Sequence, residues 1–363
     1  MRIAQVAPLY ESVPPKLYGG TERVVSYLTE ELVRQGHQVT LFASGDSITS
    51  ARLVPCAPRA LRLDASVQDS LAYHIVELEK VAQLADTFDL IHFHIDYLHF
   101  PLSRRLPVPR VTTLHGRLDI ADLPYLYREF SEMPVVSISD AQRRPLPWLN
   151  WVATVYHGLP EHLYRLQPTP GKYLAFLGRI SPEKGAHTAI EIARRAGVPL
   201  RMAAKVDRAD RDYFERVVRP LLQGPLVEFI GEIGETQKQE FLGNALALLL
   251  PLDWPEPFGL VMIEALACGT PVIAFRRGSV PELIADGVTG FIVDGVEQAV
   301  RAIEQVGQLD RRMCRQVFEQ RFTAARMCRD YLQVYRALLG RSRRAGLRPA
   351  VVQPAAAGLR TAG

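Results

Sequence analysis

The sequence between residues 3 and 43 reads IAQVA (3–7), then TERVVSYLTEELVRQ (21–35), then VTLFA (39–43). The two outer runs are short and apolar, as is typical of buried strands. The middle segment places apolar residues on one face at helical spacing, namely Val24, Val25, Leu28 and Leu32. Thr21 can cap this helix, and Gly36 can take the left-handed conformation at its end. This order predicts a parallel sheet with a right-handed crossover.

The same alternation continues along the chain in two series. One open α/β sheet is completed by four apolar runs, at 90–93, 111–114, 135–138 and 152–155. Residues 158–172 contain three prolines and Gly171, which predicts a linker between two domains. A second series of apolar runs begins at 173–177 and ends at 290–293. We therefore expect an α/β fold with two doubly wound Rossmann-like domains that face a central cleft.

The composition is that of an ordinary globular protein, with 363 residues, 48% hydrophobic and 23% charged, and a formal net charge of +4. These values exclude global disorder. The small positive charge does not indicate a nucleic-acid partner. No uninterrupted apolar run reaches the roughly 18 residues expected of a spanning helix. Residues 341–363 are rich in Arg, Ala, Gly and Pro without strand or helix period, which predicts a flexible tail.

The four cysteines lie far apart and form no C-x-x-C pair: Cys56, Cys268, Cys314 and Cys328. This spacing disfavours both a zinc site and a disulfide framework. The first apolar run is too short for a signal-peptide core. We expect a cytoplasmic protein. The arginine-rich interval 104–144 is interpreted as a solvated basic face, and peripheral contact with the inner face of the membrane is the alternative.

Ligands of such domains bind beyond the carboxyl ends of the strands, where three motifs lie. In the first motif, EPFGLVMIE, seven residues separate Glu256 from Glu264. Pro257 suits the first turn of a helix, which would direct three backbone N–H groups into the cleft, those of Phe258, Gly259 and Leu260. The two carboxylates suit polyol hydroxyls better than a phosphate. A capping carboxylate and an exposed surface Glu are the alternative interpretation.

The second motif is GRISPEKG (178–185), directly after the first strand of the second domain. Ser181 and Pro182 are typical of a helix start. Arg179 and Lys184 would then place two positive charges around that start, a geometry that suits a diphosphate. Two solvated surface cations are the alternative.

The third motif, Gly19-Gly20-Thr21, opens the first crossover helix. Bare backbone at Gly19 and Gly20 would let a phosphate or a sugar approach closely. The spacing is not G-x-G-x-x-G, so the dinucleotide fingerprint is absent from this position. Glycines that merely close a turn are the alternative.

These residues, in this order, resemble the retaining family 4 glycosyltransferases of the GT-B fold. The resemblance implies a hexosyltransferase that moves a sugar from a nucleotide-diphosphate sugar to a hydroxyl acceptor, with retention of configuration and no metal or other cofactor. The nucleotide (UDP, GDP or ADP) and the acceptor (a sugar, a lipid or a small molecule) stay open. A nucleotide-sugar isomerase of the 2-epimerase type and a non-catalytic nucleotide-sugar-binding protein are the alternatives.

The resemblance also implies the domain boundaries and the roles of single residues. The acceptor-side domain would cover residues 1–160 and be completed by a returning helix at about 320–340, and the donor domain would cover 161–319. Arg179 and Lys184 would hold the diphosphate, and Glu264 the ribose hydroxyls. The remaining implied contacts with the donor are Glu256 and the amides of Phe258, Gly259 and Leu260 on the sugar, Gly19 and Gly20 on the phosphates, and His115 beside the transferred sugar.

Two sequence features invite a metal interpretation. His92 and His94 share one face of a strand, yet no third ligand has suitable spacing, and His94 and Asp96 are expected on the acceptor side instead. Asp210 and Asp212 have the D-x-D spelling of metal-dependent transferases, but they open a predicted helix, where acids complement the helix dipole. One departure from the family is His157-Gly158 where Asn-Gly is common, which affects only the local turn.

Overall fold

Two parallel β-sheets, one in each lobe, organise residues 1–344, the part of the chain that the computed structural model describes. The N-terminal sheet has seven strands: β1 Arg2–Val6, β2 Gln38–Ser44, β3 Arg52–Ala57, β4 Leu90–Phe93, β5 Arg110–Thr113, β6 Val135–Ser137 and β7 Trp151–Thr154. Their order is β3-β2-β1-β4-β5-β6-β7. The strand order therefore reverses between β1 and β4, which opens a crevice beyond their carboxyl ends.

The C-terminal sheet has six strands: β8 Leu174–Arg179, β9 Leu200–Lys205, β10 Val227–Gly231, β11 Ala247–Leu250, β12 Val272–Phe275 and β13 Gly290–Val293. Their order is β10-β9-β8-β11-β12-β13, with the reversal between β8 and β11. Neighbouring residues on β11 enter two different core clusters, Leu248 on one face and Leu249 on the other. Both faces of this sheet are therefore buried, as doubly wound folds require.

Within residues 1–344, twelve α-helices lie between and after the strands: α1 Gly20–Arg34, α2 Ser70–Leu84, α3 Phe100–Ser103, α4 Leu123–Glu129, α5 Ala186–Ala196, α6 Arg211–Tyr213, α7 Glu235–Gly243, α8 Leu260–Ala267, α9 Val280–Leu283, α10 Val296–Val306, α11 Arg311–Arg321 and α12 Ala324–Arg344. The turn of α6 continues as a π-helix at Phe214–Val218 and a 3-10 helix at Arg219–Leu222. The predicted fold class, with two doubly wound Rossmann-like domains, is confirmed.

The edge strand β3 is the one strand of the N-terminal sheet that the sequence analysis does not predict. Its residues alternate little, and four of its six positions are partly or fully exposed. Pro55 cannot donate a ladder hydrogen bond, which an edge strand tolerates because one of its sides is unpaired. Hydrophobic pattern alone misses such a strand because it is neither fully buried nor regularly half-buried.

The last helix, α12, returns to the N-terminal lobe and packs in its core. Tyr331 and Tyr335 are fully buried there beside Ile3 and Leu28. The two crossings between the lobes run side by side, since Leu159 forms a bridge with Thr323. A side chain at Gly158 would collide with the carbonyl of Thr323, so this crossing requires glycine. Residues 341–344, expected in the tail, belong to α12, and the rest of that segment lies outside the described residues.

The cysteines and the helix lengths bear on the compartment predictions. All four cysteines are buried free thiols. Burial raises the pKa of each thiol to about 12, so these side chains are protonated at neutral pH. Among residues 1–344, no helix combines the length and the apolar character needed to cross a membrane.

The burial of Glu77 on α2 predicts how the stability of the fold depends on pH. Its side chain is fully buried, and neither carboxylate oxygen has a hydrogen-bond partner among the described residues. Burial raises the pKa of Glu77 well above its usual value. The folded protein therefore holds a proton that the unfolded chain releases, and stability falls as pH rises above the ordinary pKa of Glu. Each pH unit in this window costs about 1.4 kcal/mol until the folded pKa is reached.

We expect Glu77→Gln, which is neutral at every pH, to remove this loss. Chemical denaturation at pH 5 and pH 8 measures the free energy of unfolding. The value for the variant should rise relative to that of the native chain as pH increases. Glu79→Gln, at an exposed position of the same helix, is the matched control. Its stability should depend on pH in the same way as that of the native chain. Parallel pH curves for the native chain and Glu77→Gln would contradict the assignment.

Candidate active site

A cleft of about 690 Å³ lies between the carboxyl ends of the two sheets. Its volume falls in the range of small-molecule sites. The cleft is bordered by all of the residues that the sequence analysis proposes for the site: Gly19, Gly20, His94, Asp96, His115, Arg179, Lys184, Glu256, Phe258, Gly259, Leu260 and Glu264. Both lobes contribute, because the first five residues follow strands of the N-terminal sheet and the others belong to the C-terminal lobe.

The segment from Glu256 to Glu264 begins as a loop and ends as a helix. Gly259 is the N-cap of α8 and has φ 80°, a left-handed conformation outside the α-helical range. The helix therefore starts at Leu260, and the prediction that it starts at Pro257 is wrong. Glu256 stays on the loop, and Glu264 lies in the second turn, as expected. Both are buried, with 8% and 3% of their surface exposed.

Lys184 and Glu256 form an ion pair in the wall of the cleft that the C-terminal lobe provides. The ammonium of Lys184 also lies 4.9 Å from the ring centre of Trp254, whose Nε1 donates to Glu256 at 3.1 Å. Lys184 ends the 3-10 turn Pro182–Lys184, and Gly185 in a left-handed conformation separates that turn from α5. Lys184 and Glu256 were expected to have separate roles, and in the structure they are in contact.

Arg179, at the end of β8, is surrounded by carboxylates. Its guanidinium donates to Glu183 at 2.6 Å and lies 3.6 Å from Asp210 and 3.8 Å from Asp207. Asp210 belongs to the D-x-D spelling, and its contact with Arg179 explains why an acid lies there. Asp212 is exposed on α6. Within residues 1–344, no group of three or more metal-binding side chains converges.

Glu264 is held by a lysine that the sequence analysis does not single out. Lys238 of α7 donates to Glu264 at 2.7 Å and lies 3.4 Å from Glu235. Glu235 in turn pairs with Arg23 of α1, in the opposite lobe. These four charges form a chain from the cleft to the N-terminal lobe. No motif marks Lys238, because its partner Glu264 lies 26 residues further along the chain.

His115 lies against two other histidines. Its Nε2 is 2.9 Å from Nδ1 of His94, and its ring stacks on that of His157 at 5.3 Å. His157 packs against Phe258 of the other lobe at 4.7 Å and also borders the cleft. Burial lowers the pKa of His115 to about 3, so the imidazole is neutral at physiological pH. His157 is therefore part of the site wall, although the sequence analysis treats it only as a turn residue.

The histidines proposed as possible metal ligands use their ring nitrogens elsewhere. His92 forms hydrogen bonds with Tyr335 at 2.7 Å and with Thr113 at 2.8 Å. Burial raises the pKa of Asp96 to about 6, and this carboxylate accepts the backbone N–H of His115. Asp96 and His94 thus lie on the N-terminal side of the cleft, where the sequence analysis expects them.

Hydrogen bonds between the lobes set the width of the cleft. Ser139 donates its hydroxyl to the carbonyl of Pro257 at 2.6 Å. The carboxylate of Glu282 accepts the backbone N–H groups of Asp140 and Ala141, both at 2.7 Å. Tyr18, beside the glycine pair, donates its backbone N–H to Glu232 at 3.1 Å. The loop that carries Gly19 and Gly20 is thereby anchored to the C-terminal lobe.

Comparison with known proteins gives two family matches and several relatives. The family described as Glycosyltransferase Family 4 matches residues 18–180, and Glycosyl transferases group 1 matches residues 165–320. The chain is 30% identical over 356 residues to the D-inositol 3-phosphate glycosyltransferase of Streptomyces scabiei, an alignment that covers 78% of this chain and 77% of that protein.

Solved glycosyltransferases share the fold. AviGT4, involved in avilamycin A biosynthesis, superposes with a TM-score of 0.72 at 23% identity, over 94% of this chain and 98% of its own. HepE of Anabaena, solved in complex with UDP-glucose, superposes with a TM-score of 0.70 at 20% identity, over 94% of this chain and 100% of its own. The cleft, the two sheets and these matches lead to one assignment: the chain belongs to the family 4 glycosyltransferases and has the GT-B fold.

Proposed function

We propose that this glycosyltransferase is a retaining, metal-independent hexosyltransferase that uses a nucleotide-diphosphate sugar as donor and a hydroxyl group as acceptor. One observation carries the proposal. Two cations and two carboxylates from distant segments of the C-terminal lobe border a single cleft: Arg179, Lys184, Glu256 and Glu264. A nucleotide sugar offers matching groups, since its diphosphate is anionic and its ribose and sugar carry hydroxyls.

Arg179 and Lys184 are the candidates for the leaving diphosphate. Negative charge grows on this group as its bond to the sugar breaks, and fixed cations stabilise that charge in the transition state. Each cation is paired with a carboxylate, Arg179 with Glu183 and Lys184 with Glu256. We infer that the diphosphate displaces Glu256 from Lys184, which frees the carboxylate to accept hydroxyl groups of the transferred sugar. Two side-chain cations would supply the charge that a divalent metal supplies elsewhere.

Glu264 and Gly20 are the candidates for the rest of the donor. The carboxylate of Glu264 can accept both ribose hydroxyls while its hydrogen bond with Lys238 orients it. Gly20 begins α1 in the opposite lobe, so its backbone can approach the phosphates without a side chain. The backbone N–H groups at the start of α8 would lie near the sugar, together with Phe258 and Gly259. The donor would thus be enclosed by both lobes.

The N-terminal side of the cleft is the proposed acceptor side, with His94, Asp96 and His115. We propose attack from the face that the diphosphate leaves, a route that needs no covalent nucleophile. In that step the acceptor hydroxyl forms the new bond, the sugar–phosphate bond breaks, and the departing phosphate oxygen takes the hydroxyl proton. D-inositol 3-phosphate appears in the name of the relative from Streptomyces scabiei and is therefore the first acceptor to try.

Part of the positive charge of the arginine-rich interval is paired within it. Arg104 pairs with Glu129 and Glu132, and Arg117 pairs with Asp119. Exposed arginines without an ion pair among the described residues also occur there, namely Arg105, Arg128 and Arg144. We propose that they form a solvated basic face, and peripheral membrane attachment stays the alternative.

We expect Lys184→Ala and Arg179→Ala each to lower kcat/KM by about 100- to 1,000-fold, because each removes one fixed charge from the leaving group. Steady-state assays with UDP-, GDP- and ADP-sugars measure this effect, and circular dichroism checks the fold. Arg195→Ala, which removes an exposed cation of α5, is the matched control and should keep full activity. Full activity of either site variant would overturn the diphosphate assignment.

Glu264→Gln tests the ribose contact separately from the diphosphate. We expect the variant to bind the preferred nucleoside diphosphate about 10- to 100-fold more weakly, since it loses hydrogen bonds to a charged acceptor. Affinity for the 2′,3′-dideoxy analogue should not change, because that ligand has no ribose hydroxyls to donate. Calorimetric titration measures both. Equal losses for the two ligands would contradict the assignment, and Glu240→Gln on exposed α7 surface serves as control.

Retention is testable without knowledge of the acceptor, because water can replace it. NMR of freshly hydrolysed donor, recorded before the sugar mutarotates, should show the anomer of the donor. The opposite anomer would indicate inversion. In the same tube, an epimerised nucleotide sugar would favour the isomerase alternative, and donor that binds without any turnover on a panel of acceptors would favour a binding protein.

A further inference from the structure

Four histidines meet near the carboxyl ends of β4, β5 and β7, and three of them line the cleft, namely His94, His115 and His157. The ring centres of His92 and His94 are 4.0 Å apart, and those of His94 and His115 are 5.2 Å apart. His157 stacks on the other side of His115. His94 and His115 have a role in the proposed function, which leaves His92 and the contact of His94 with Gln5 unexplained.

The inner histidines belong to a hydrogen-bond chain that ends at His115. Gln5 of β1 is fully buried, and its Oε1 lies 2.8 Å from Nε2 of His94. Nδ1 of His94 lies 2.9 Å from Nε2 of His115. Among the described residues, Nδ1 of His115 has no hydrogen-bond partner of its own. It is therefore the ring nitrogen of His115 that remains available to the cleft.

The other end of the chain is anchored on α12. The amide nitrogen of Gln5 donates to the hydroxyl of Tyr335 at 3.2 Å, and that hydroxyl lies 2.7 Å from Nδ1 of His92. Nε2 of His92 contacts Thr113 at 2.8 Å, and Thr113 contacts the hydroxyl of Tyr331 at 2.8 Å. The chain thus runs from the returning helix, through the middle of the N-terminal sheet, to the cleft.

The chemistry of each group sets the direction of this chain. A carbonyl oxygen only accepts, so the oxygen of Gln5 requires a proton on Nε2 of His94. Burial lowers the pKa of His94 well below its usual value, and a neutral imidazole carries one donor and one acceptor. Nδ1 of His94 therefore accepts, and His115 must donate from Nε2. Nδ1 of His115 is left without a proton and with its lone pair free.

We propose that Gln5 and His94 hold His115 in the Nε2–H tautomer, so that its Nδ1 lone pair accepts a hydrogen bond from a hydroxyl of the transferred sugar. This inference rests on the proposed function. Gln5 and His94 are positioning residues, since they act through His115. The arrangement favours a donor sugar with a hydroxyl at that place and disfavours one with a carboxylate, whose oxygens would face a lone pair.

Gln5 decides the direction because it is the one amide in the chain. If its side-chain oxygen and nitrogen exchanged places, the nitrogen would donate to His94, and every proton between Gln5 and the cleft would move to the other ring nitrogen. His115 would then present an N–H group to the sugar. In the structure the oxygen of Gln5 faces His94 and its nitrogen faces Tyr335, and this orientation is the one that the tautomer of His115 reports. A residue remote from the cleft thereby sets which hydrogen-bonding group the cleft offers.

The first test reads the tautomer directly in the full-length protein, without donor or acceptor. Histidine labelled with 15N distinguishes protonated from unprotonated ring nitrogens by NMR at pH 7.5. We expect His115, assigned by its loss in His115→Ala, to show a protonated Nε2 and an unprotonated Nδ1. A protonated Nδ1, or a doubly protonated ring, overturns the inference. Because this readout needs no turnover, it stands or fails independently of the proposed transfer reaction.

The second test compares two substitutions at one position. In His94→Gln, the new amide can donate to Gln5 and accept from Nε2 of His115, so the tautomer should persist. His94→Leu has the same size and no polar atom, and the Nε2–H fraction of His115 should fall. We expect kcat/KM for the donor to drop about tenfold more in His94→Leu than in His94→Gln, with binding of the sugar-free nucleoside diphosphate equal in both. Equal kcat/KM values in the two variants would overturn the relay.

Gln5→Leu tests the residue that is proposed to set the direction of the hydrogen bonds between Gln5, His94 and His115. It removes the oxygen that fixes His94 without touching the cleft, so the NMR spectrum should show both tautomers of His115. Thermal melting reports any loss of fold separately. An unchanged single Nε2–H tautomer in folded Gln5→Leu would show that Gln5 does not set the direction.

Discussion

The carboxyl ends of the strands in both sheets open onto one cleft, and the candidate site depends on this constraint. Parallel strands bring the residues that follow them to the same edge of a sheet, and the reversal of strand order leaves space there for a ligand. In the N-terminal sheet the reversal lies between the paired strands β1 and β4, and His94 follows β4. In the C-terminal sheet it lies between the paired strands β8 and β11; Arg179 ends β8, and Glu256 follows β11. Residues far apart in sequence thereby reach one cavity.

Ion pairs keep the charged side chains of this cavity in place before a ligand arrives. Lys184 is held by Glu256, and Lys238 by Glu264. A partly buried charge without a partner is costly, so each acid restrains its cation and lowers the cost of bringing it into the cleft. In the proposed function the donor replaces the Lys184–Glu256 pair with contacts of its phosphates and hydroxyls, and the Lys238–Glu264 pair persists. That exchange would favour a ligand with both kinds of group over one with phosphate alone.

The returning helix α12 joins the two lobes in two ways. The rings of Tyr331 and Tyr335 pack in the core of the N-terminal lobe. Their hydroxyl groups end the hydrogen-bond chain that passes through Gln5. The polypeptide passes from one lobe to the other at Gly158, where a larger residue would collide with Thr323. The glycine of the His157-Gly158 pair is therefore a structural requirement, whereas the histidine belongs to the cleft wall. The C-terminal segment thus contributes to the site without entering it.

The sequence by itself determined the fold class and was enough to propose a candidate site, because hydrophobic periodicity and the position of a residue after a strand are local properties. Glu256, Glu264, Arg179 and Lys184 could be proposed on that basis. Only the tertiary structure decided that Lys184 contacts Glu256, that Lys238 holds Glu264, and that Gln5 reaches His94. Those contacts join residues 72, 26 and 89 positions apart. No local pattern reports them, since they exist only once the sheets and helices have packed.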